Sequence, residues 1–284
     1  PYYVVDCTKQ YQKLVLDTFK SEYLSGRTPN PCVICNASIK FEALPQGAKA
    51  QGIEFDKFAT GHYAKISYNQ ELNRYQLQQG QDTKKDQSYF IHRLKQEQLS
   101  KIMMPLGEYT KEEVRNIARK YGLDVSDKAD SQDFYNGDIN DIIQEAPQSG
   151  NFGNKEGKIL GKHQGIWNYT VGQRRGLGIS ADRPLYVIEL NKENNEVILG
   201  YEEECYKQSL IATDVNWVSI SAPAQNMEIL VKLRSSQKPE LAELTPIDDK
   251  TVSISFFEKQ KAVALGQSAV FYNEDGYVLG GGFI

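Results

Sequence analysis

The arrangement of apolar residues changes near Pro147, and this change limits the folds open to the 284-residue chain. Before it, residues 8–24 carry apolar side chains at helical spacing behind Thr8 as N-cap, and residues 55–64 are typical of a buried strand that ends in a polar turn. Beyond Cys205 only strand-like runs follow, at residues 228–234, 251–257, 262–272 and 277–284. The first half therefore predicts an α/β domain with a mostly parallel sheet, and the last part predicts a small β-barrel.

Three domains follow from this pattern. We expect an α/β domain over residues 1–146, a small central β-rich domain over residues 147–207, and the barrel over residues 208–284. The polar stretch 148–151 has the composition of a linker. In the central domain, two apolar runs have the spacing of a hairpin, residues 185–190 and 195–199.

One helix of the first domain is predicted together with both of its ends. Thr110 and Glu113 have the spacing of a capping box, and Gly122 is a typical helix stop. Its apolar stripe consists of Val114, Ile117 and Ala118.

Composition excludes several classes of protein. The sequence contains no run of about 20 apolar residues, so we expect no membrane span. Four cysteines are too few for a disulfide scaffold and indicate a cytosolic protein with reduced thiols. The net charge of −4 argues against nonspecific coating of nucleic acid, although residues 155–175 carry five basic side chains and one acidic side chain. That basic stretch could contact tRNA or another anion, or could simply be a solvated surface.

Two thiols lie three residues apart, Cys32 and Cys35, after a proline-interrupted loop and before a helix-like segment, residues 37–44. Free N–H groups and the dipole at a helix N-terminus favour thiolates. The pair could be a sulfur-carrying nucleophile, a redox pair, half of a metal or iron–sulfur site, or two small buried residues. The other cysteines, Cys7 and Cys205, are isolated and do not complete a four-thiolate zinc site.

Three further segments combine groups that bind nucleotides or phosphates. Gly61 and His62 follow an apolar stretch at the position where α/β sheets bind nucleotides. His62 could donate to a base or phosphate, or could be a structural residue that hydrogen-bonds within the fold. Residues 84–90 combine lysines, an acid, an amide and aromatic rings, which suits phosphate and base contacts but equally suits a charged helix start. Arg174 and Arg175 lie among glycines and could bind a phosphate chain, or could be solvated on a surface turn.

Taken together, seven segments in order resemble the bacterial tRNA-specific 2-thiouridylases of the MnmA type over essentially the whole chain. The motifs are GRTPNPCVICN, ATGHYAKI, KKDQSYF, MPLGEYTKEEVR, SDKADSQDF, GKHQGIWNYTVGQRRGLGI and GQSAVFYNEDGYVLGGGFI. The resemblance implies the C-terminal part of a PP-loop α/β domain followed by the β-rich central domain and the barrel. It also implies conversion of the wobble uridine in the anticodon stem-loop of tRNA to 2-thiouridine.

The family's chemistry implies cofactors and partners. ATP, with Mg²⁺, adenylates the uracil C2 oxygen, a cysteine persulfide delivers sulfur to C2, and a second cysteine resolves the sulfur linkage. The target base must leave its stack to be reached. A persulfide sulfur-relay protein or a cysteine desulfurase would supply the sulfur, and no membrane is involved.

The resemblance also assigns residues by position. Cys35 matches the family's nucleophile, and Gly61 matches an ATP-contacting glycine. The remaining matches are to tRNA contacts: Asn30, Pro31 and Cys32 in the target-base loop, Lys85, Asp86 and Gln87 in a second base-contacting segment, His62, and, from the barrel, Arg234, Ser235 and Gln267. Arg174 and Arg175 join the predicted tRNA contacts through their charge.

Three departures from the family pattern qualify the match. The nucleotide loop S-G-G-x-D-S is absent from this sequence, and we expect it to precede Pro1 in a longer protein. The family's persulfide cysteine corresponds to Tyr135, and Cys32 replaces a usual aspartate. We hypothesise that Cys32 takes over the lost role, as sulfur carrier or resolving thiol. Alternatively, Cys32 and Cys35 ligate a [4Fe-4S] cluster with a third cysteine from an upstream segment.

Two other classes remain as alternatives. The chain could be a catalytically inactive tRNA-binding paralogue that lacks the ATP loop. It could also be a thioredoxin-like thiol redox protein, but the proline-rich loop and the large β-rich second half do not suit that class.

Overall fold

The structure, a computed structural model, describes residues 2–123, 134–135 and 137–284. Two long helices with π-helical middles lie near the start of the chain. Helix α1 comprises Thr8–Tyr11, Gln12–Leu16 and Asp17–Leu24, and helix α2 comprises Pro31–Cys35, Asn36–Ala43 and Leu44–Ala50. Gly26, at φ +71°, takes the left-handed conformation that follows a helix end, and Pro31 begins α2 with a backbone angle already set for a helix.

The rest of the N-terminal part consists of short elements. Its further helices are α3 (Gln96–Leu99), α4 (Lys111–Lys120) and α5 (Asn140–Ile143), with 3₁₀ turns at Ser88–Ile91, before α3, and at Pro105–Glu108, between α3 and α4. Strand β1 (Phe58–Ala59) pairs in parallel with β4 (Ile102–Met103), and β2 (Ala64–Asn69) forms an antiparallel hairpin with β3 (Arg74–Gln79).

The central part is a four-stranded sheet in the order β6-β5-β8-β7. Its strands are β5 (Gly150–Gly153), β6 (Ile159–His163), β7 (Tyr186–Asn191) and β8 (Glu196–Gly200), and β7 and β8 form the predicted hairpin. Phe152, Val187 and Val197 are almost fully buried in its core, between the sheet and the 3₁₀ turn Ile166–Asn168.

Six antiparallel strands close into a barrel in the order β10-β11-β12-β9-β14-β13. They are β9 (Tyr206–Trp217), β10 (Met227–Lys232), β11 (Glu240–Asp248), β12 (Thr251–Lys261), β13 (Ser268–Tyr272) and β14 (Val278–Phe283). Strand β12 shows why the sequence closes this way, because Val252, Ile254 and Phe256 point into the core while the residues between them point outward. Closure leaves no unpaired strand edge.

The barrel packs against the N-terminal part through a shared core. Tyr272 and Val278 of the barrel are buried with Leu77 and Tyr89 of the first half. Arg74 strengthens this junction, since its guanidinium donates to the backbone oxygens of Val218 at 2.8 Å and Trp217 at 2.7 Å. A functional site at this junction is therefore built from residues far apart in the sequence.

Most of the predicted architecture is confirmed. Helix α1, the hairpin β7–β8, the barrel and the α/β plus β-rich organisation all occur. The predicted N-cap of α1 was wrong, because Thr8 is already helical, Cys7 is the N-cap, and the Thr8 N–H donates to Asp6 Oδ1 at 2.8 Å. The capping box is present as well: the Thr110 N–H donates to Glu113 Oε2 at 2.6 Å, and the Glu113 N–H donates to Thr110 Oγ1 at 3.3 Å. Gly122 follows the helix at φ +65°.

Several local predictions were wrong in extent. The strand predicted at 55–64 is reduced to β1, because Phe55 and Phe58 pack as an aromatic pair 6.2 Å apart rather than alternating in a strand. The linker at 148–151 overlaps β5, and the run 262–272 becomes strand only at Ser268, after Ala262 at φ +57° and Gly266 at φ +90°. Among the described residues, parallel pairing is limited to β1–β4 and β5–β8.

Candidate functional site

Helix α2 carries both thiols in its first turns. Asn30 is extended and precedes the helix, Cys32 is the second helical residue, and Cys35 lies one turn further on the same side. Fully buried Val33 fixes the turn between them, and both cysteines are half-buried. The four cysteines of the chain are free thiols. The predicted helix at residues 37–44 thus begins earlier, at Pro31, and contains the pair instead of following it.

The protonation of the pair differs from the prediction. Burial raises the pKa of the Cys32 thiol above its ordinary value, and burial raises that of Cys35 as well. The ammonium of Lys40 opposes both shifts, and the neighbouring Cys32 adds to the shift at Cys35. The expectation that the helix N-terminus yields thiolates is therefore wrong in direction, because desolvation outweighs the favourable charges.

Tyr11 of helix α1 adds a hydroxyl to the surroundings of the pair. Burial, then Cys35, then Cys32 raise the pKa of its phenol, which places this ring within electrostatic reach of both sulfurs. Its ring centroid lies 6.5 Å from that of Phe134. The Tyr11 phenol and the Lys40 ammonium thus both lie within electrostatic reach of the thiols.

Asn36 connects the cysteine helix to the segment 84–90. Its side chain is buried, and Nδ2 donates to the backbone oxygen of Phe90 at 3.2 Å. The resemblance assigns target-base contacts to both segments, and the structure brings the two segments together.

Gly61 and His62 follow the carboxyl end of β1, as the sequence predicts. Gly61 is exposed, whereas His62 is buried against Phe41 of α2, with ring centroids 5.3 Å apart. Its Nδ1 pairs with Thr60 Oγ1 at 2.9 Å. Burial, with a contribution from Lys40, lowers the pKa of His62 to about 4, so the imidazole is neutral at physiological pH.

The Asp86 side chain is buried and bonds to groups of its own fold. Its side chain is 1% exposed and accepts hydrogen bonds from the Gly80 N–H at 3.2 Å and from Ser88 Oγ at 2.9 Å. The ammonium of Lys232 in the barrel lies 3.9 Å away and is equally sheltered. This geometry places the Asp86 carboxylate in the junction between the two parts, with its oxygens already occupied.

Gln87 also makes protein contacts. Its Oε1 accepts from the Tyr63 N–H at 3.0 Å, and its own N–H donates to the Tyr63 oxygen at 2.9 Å. These two hydrogen bonds to the Tyr63 backbone fix the segment 84–90 beside the Gly61 turn.

Ser235 lies in the turn after β10, opposite that segment. The Tyr89 hydroxyl supports the turn by donating to the Leu233 oxygen at 3.2 Å, and the Gln237 N–H donates to the Arg234 oxygen at 3.2 Å. The Arg234 side chain is exposed, and its Nη2 donates to the Ala262 oxygen at 2.9 Å. A Cβ on Gly172 would lie 3.8 Å from that nitrogen, so Arg234 borders the arginine–glycine segment.

The Gly61 turn, the segment 84–90 and the turn at Ser235 surround a cleft of about 460 Å³, and neither Cys32 nor Cys35 is among its lining residues. Five of its residues are predicted site residues, Gly61, Lys85, Asp86, Gln87 and Ser235. Lys111, Ser236 and Tyr63 also line it and were not predicted as site residues, although Tyr63 and Lys111 lie within motifs quoted above. The three lysines of the cleft, Lys84, Lys85 and Lys111, together with its hydroxyls and amides, suit an anionic, hydrogen-bonding ligand such as a nucleotide segment.

Other predicted residues lie elsewhere. Arg174 and Arg175 are exposed, and Arg174 lines a separate pocket of about 680 Å³ formed by residues 176–185. Gln267 does not line the cleft either, since its amide donates to the Thr28 oxygen at 2.8 Å.

Tyr135 stands where the resemblance expects a persulfide cysteine. It is 44% exposed, and its hydroxyl donates to Asp141 Oδ2 at 2.7 Å. Most of the motif SDKADSQDF, residues 126–133, lies outside the described residues, whereas Phe134 packs on Phe19 with centroids 5.3 Å apart.

Neither a metal site nor a membrane span is found within the described parts of the chain. In those parts, no three His, Cys, Asp or Glu side chains cluster to hold a metal ion. Cys32 and Cys35 are thus two cysteine ligands, whereas an iron–sulfur cluster is usually held by about four. The described helices include none that is long and apolar enough to cross a membrane.

Comparison with known proteins matches the whole chain. Residues 1–135 match the family described as tRNA methyl transferase HUP domain, residues 138–201 its PRC-barrel domain, and residues 207–284 the aminomethyltransferase beta-barrel domain. A tRNA-specific 2-thiouridylase MnmA of Endomicrobium trichonymphae is 51% identical over 286 residues, which cover 100% of this chain and 79% of that protein. A tRNA-specific 2-thiouridylase MnmA 2 of Clostridium botulinum is 45% identical, over 100% of this chain and 81% of the relative. A tRNA-specific 2-thiouridylase MnmA of Clostridium perfringens is 44% identical, over 100% of this chain and 80% of that protein.

Proposed function

The chain belongs to the tRNA-specific 2-thiouridylase family, enzymes of tRNA uridine 2-thiolation, and we propose that it thiolates the wobble uridine through an adenylated base and a cysteine persulfide. The observation that carries this proposal is the cleft at the junction of the α/β part and the barrel. It gathers Gly61, Lys85, Gln87 and Ser235 from three separate segments of the sequence, and Asn36 joins one of these segments, residues 84–90, to the cysteine helix.

Adenylation makes the uracil C2 reactive. The C2 oxygen attacks the α-phosphorus of ATP and pyrophosphate leaves, so that AMP becomes a good leaving group on C2. The match to a HUP domain supports the use of ATP. Of the predicted residues, Gly61 is the one assigned to ATP, and its exposed position after β1 leaves its backbone open to a ligand.

The two thiols of α2 divide the sulfur chemistry. The terminal sulfur of a persulfide on one cysteine attacks C2, and AMP departs with the C2 oxygen. The second cysteine then attacks the carrier's sulfur, which releases 2-thiouridine and leaves a Cys32–Cys35 disulfide. A sulfur-relay protein or cysteine desulfurase loads the next persulfide, and a cellular thiol reduces the disulfide. The position of the pair one helical turn apart supports this exchange.

Replacement of each thiol tests the division of roles. We expect Cys35→Ala and Cys32→Ala each to abolish thiolation of tRNA in the full-length enzyme, whereas Cys205→Ala, a buried thiol of the central part, leaves it unchanged. Mass spectrometry of tRNA nucleosides from a deletion strain complemented with each variant measures the 2-thiouridine content.

Two results would overturn the proposal. Wild-type levels of 2-thiouridine in a deletion strain without a paralogue would refute the function. Full activity of Cys32→Ala would refute its role in sulfur transfer. Iron and acid-labile sulfide analysis after anaerobic purification separates persulfide from cluster chemistry, because a persulfide trapped on Cys32 in iron-free active enzyme excludes the cluster.

A further inference from the structure

The loop 26–30, which leads directly into the cysteine helix, is held by the barrel. The Gln267 amide donates to the Thr28 oxygen at 2.8 Å, and the Thr28 N–H donates to the Leu265 oxygen at 2.7 Å. Arg27 adds a third bond, from Nη2 to the Ile284 oxygen at 3.0 Å, while its Nε donates to Glu22 at 2.7 Å. Arg27 and Thr28, the two residues before Pro29, are thus both bonded to the end of the barrel.

Close packing leaves the loop little freedom to shift. Gly266, at φ +90°, lies against the loop backbone, and a Cβ there would come within 3.1 Å of the Thr28 backbone atoms. On the other side, a Cβ on Gly26 would lie 3.3 Å from Leu190 Cβ, and Thr28 Oγ1 lies 3.3 Å from Thr170 Oγ1 of the central part. All three parts of the molecule therefore meet at this loop.

We infer that Gln267 and Arg27 are positioning residues that fix loop 26–30, and with it Cys32, against the barrel. The inference rests on the proposed function and assigns Gln267 a role that differs from the tRNA contact implied by the resemblance. Its amide nitrogen is directed at the Thr28 oxygen, four residues before Cys32. Sulfur transfer needs the thiol within bonding distance of C2, and a misplacement of about 1 Å can cost on the order of a hundredfold in rate.

The two roles of Gln267 predict opposite kinetic effects. As a positioning residue, Gln267→Ala lowers kcat for tRNA thiolation by about tenfold and leaves KM for tRNA within about twofold. Gln267→Glu, which keeps the size but replaces the donor by an acceptor, has the same effect. Gln225→Ala, an exposed glutamine of the barrel turn before β10, is the matched control and changes neither constant.

Hydrogen exchange without tRNA supplies a second readout that does not depend on activity. Gln267→Ala and Arg27→Met should each speed exchange of the backbone amides of residues 26, 27, 28 and 30 by about tenfold, while exchange in the barrel strands stays at the wild-type rate and shows that the fold is intact. A raised KM with unchanged kcat and unchanged loop exchange would overturn the inference and assign Gln267 to tRNA binding. Faster loop exchange with unchanged kcat would also overturn the positioning role. Lack of thiolation by the wild-type enzyme would refute the proposed function but not the anchoring of loop 26–30 by the barrel. Unchanged loop exchange in both variants would refute that anchoring whether or not the enzyme thiolates tRNA.

Discussion

At the residue scale, the surroundings of the two thiols of helix α2 act on the thiol pKa values in opposite directions. Burial raises the pKa of both Cys32 and Cys35, and the exposed ammonium of Lys40 lowers it. A thiol with a raised pKa is mostly protonated at neutral pH and attacks slowly. The Lys40 charge is thus the feature of the described surroundings that favours the reactive thiolate at both positions.

Removal of that charge should slow the thiols in a pH-dependent way. Lys40→Gln raises both thiol pKa values further, so alkylation by iodoacetamide at pH 8 slows by roughly two- to fivefold, and the difference disappears at a pH above both pKa values. Alkylation rates followed by peptide mass spectrometry between pH 7 and about 11 measure this. Lys49→Gln, an exposed lysine later in α2 that lies over the Phe55 ring, is the control. Equal rates for Lys40→Gln and wild type at pH 8 would contradict the assignment.

At the scale of elements, local sequence determines the helix ends and tertiary contacts determine the strand limits. Thr110 and Glu113 satisfy each other's backbone at the start of α4, and this arrangement was predicted from their spacing. The β2–β3 hairpin and strands β9 and β11 were not predicted. Strand β2, with the sequence AKISYN, does alternate apolar and polar residues and pairs with the nearby β3, so this hairpin carried a local signal that the prediction missed. Strand β9 alternates less regularly and pairs with β12 and β14, which lie far away in the sequence.

The capping box gives a prediction at this scale. Thr110→Ala removes the side chain that accepts the Glu113 N–H and should cost about 1 kcal/mol of local helix stability. Amide exchange within Lys111–Lys120 should then speed by roughly fivefold, because 1.4 kcal/mol corresponds to tenfold. Thr83→Ala, an exposed threonine in a nearby loop, should leave that exchange unchanged. Protection of α4 as strong in Thr110→Ala as in wild type would show that tertiary packing alone stabilises the helix.

At the scale of the whole molecule, the buried pair of Asp86 and Lys232 joins the α/β part to the barrel. Both side chains are almost inaccessible, and their charged atoms lie 3.9 Å apart. Burial lowers the pKa of Lys232, and the Asp86 charge raises it again. Loss of one partner therefore leaves a buried, uncompensated charge.

We expect Asp86→Asn to lower the free energy of unfolding by about 3 kcal/mol, at the lower end for a broken buried pair because the atoms are not in close contact. Chemical denaturation followed by tryptophan fluorescence measures the loss. Lys84→Gln, an exposed neighbour two residues away, should change stability by less than about 0.5 kcal/mol. If Asp86 contacts the target base instead, Asp86→Asn will have the same free energy of unfolding as Lys84→Gln and will raise KM for tRNA.

The sequence predicted several residues that line the candidate site, but it did not predict the direction in which individual side chains point. The resemblance assigned Gly61, Lys85, Gln87 and Ser235 by position, and these residues line one cleft. They did not reveal that Asp86 faces Lys232 or that Gln267 faces Thr28, because an identical residue can point toward a ligand or toward its own fold. Such orientation depends on contacts between segments that the order of residues does not specify.

The sequence by itself determined the family, the α/β plus β-rich organisation, the helix caps and the paired thiols, since these depend on local spacing and on periodic burial of apolar side chains. The tertiary structure alone decided how those residues are used. Burial raised the thiol pKa values against the expectation from the helix N-terminus, and packing of the barrel against loop 26–30 placed the cysteine helix. The physical reason is that desolvation and long-range hydrogen bonds exist only once distant segments meet.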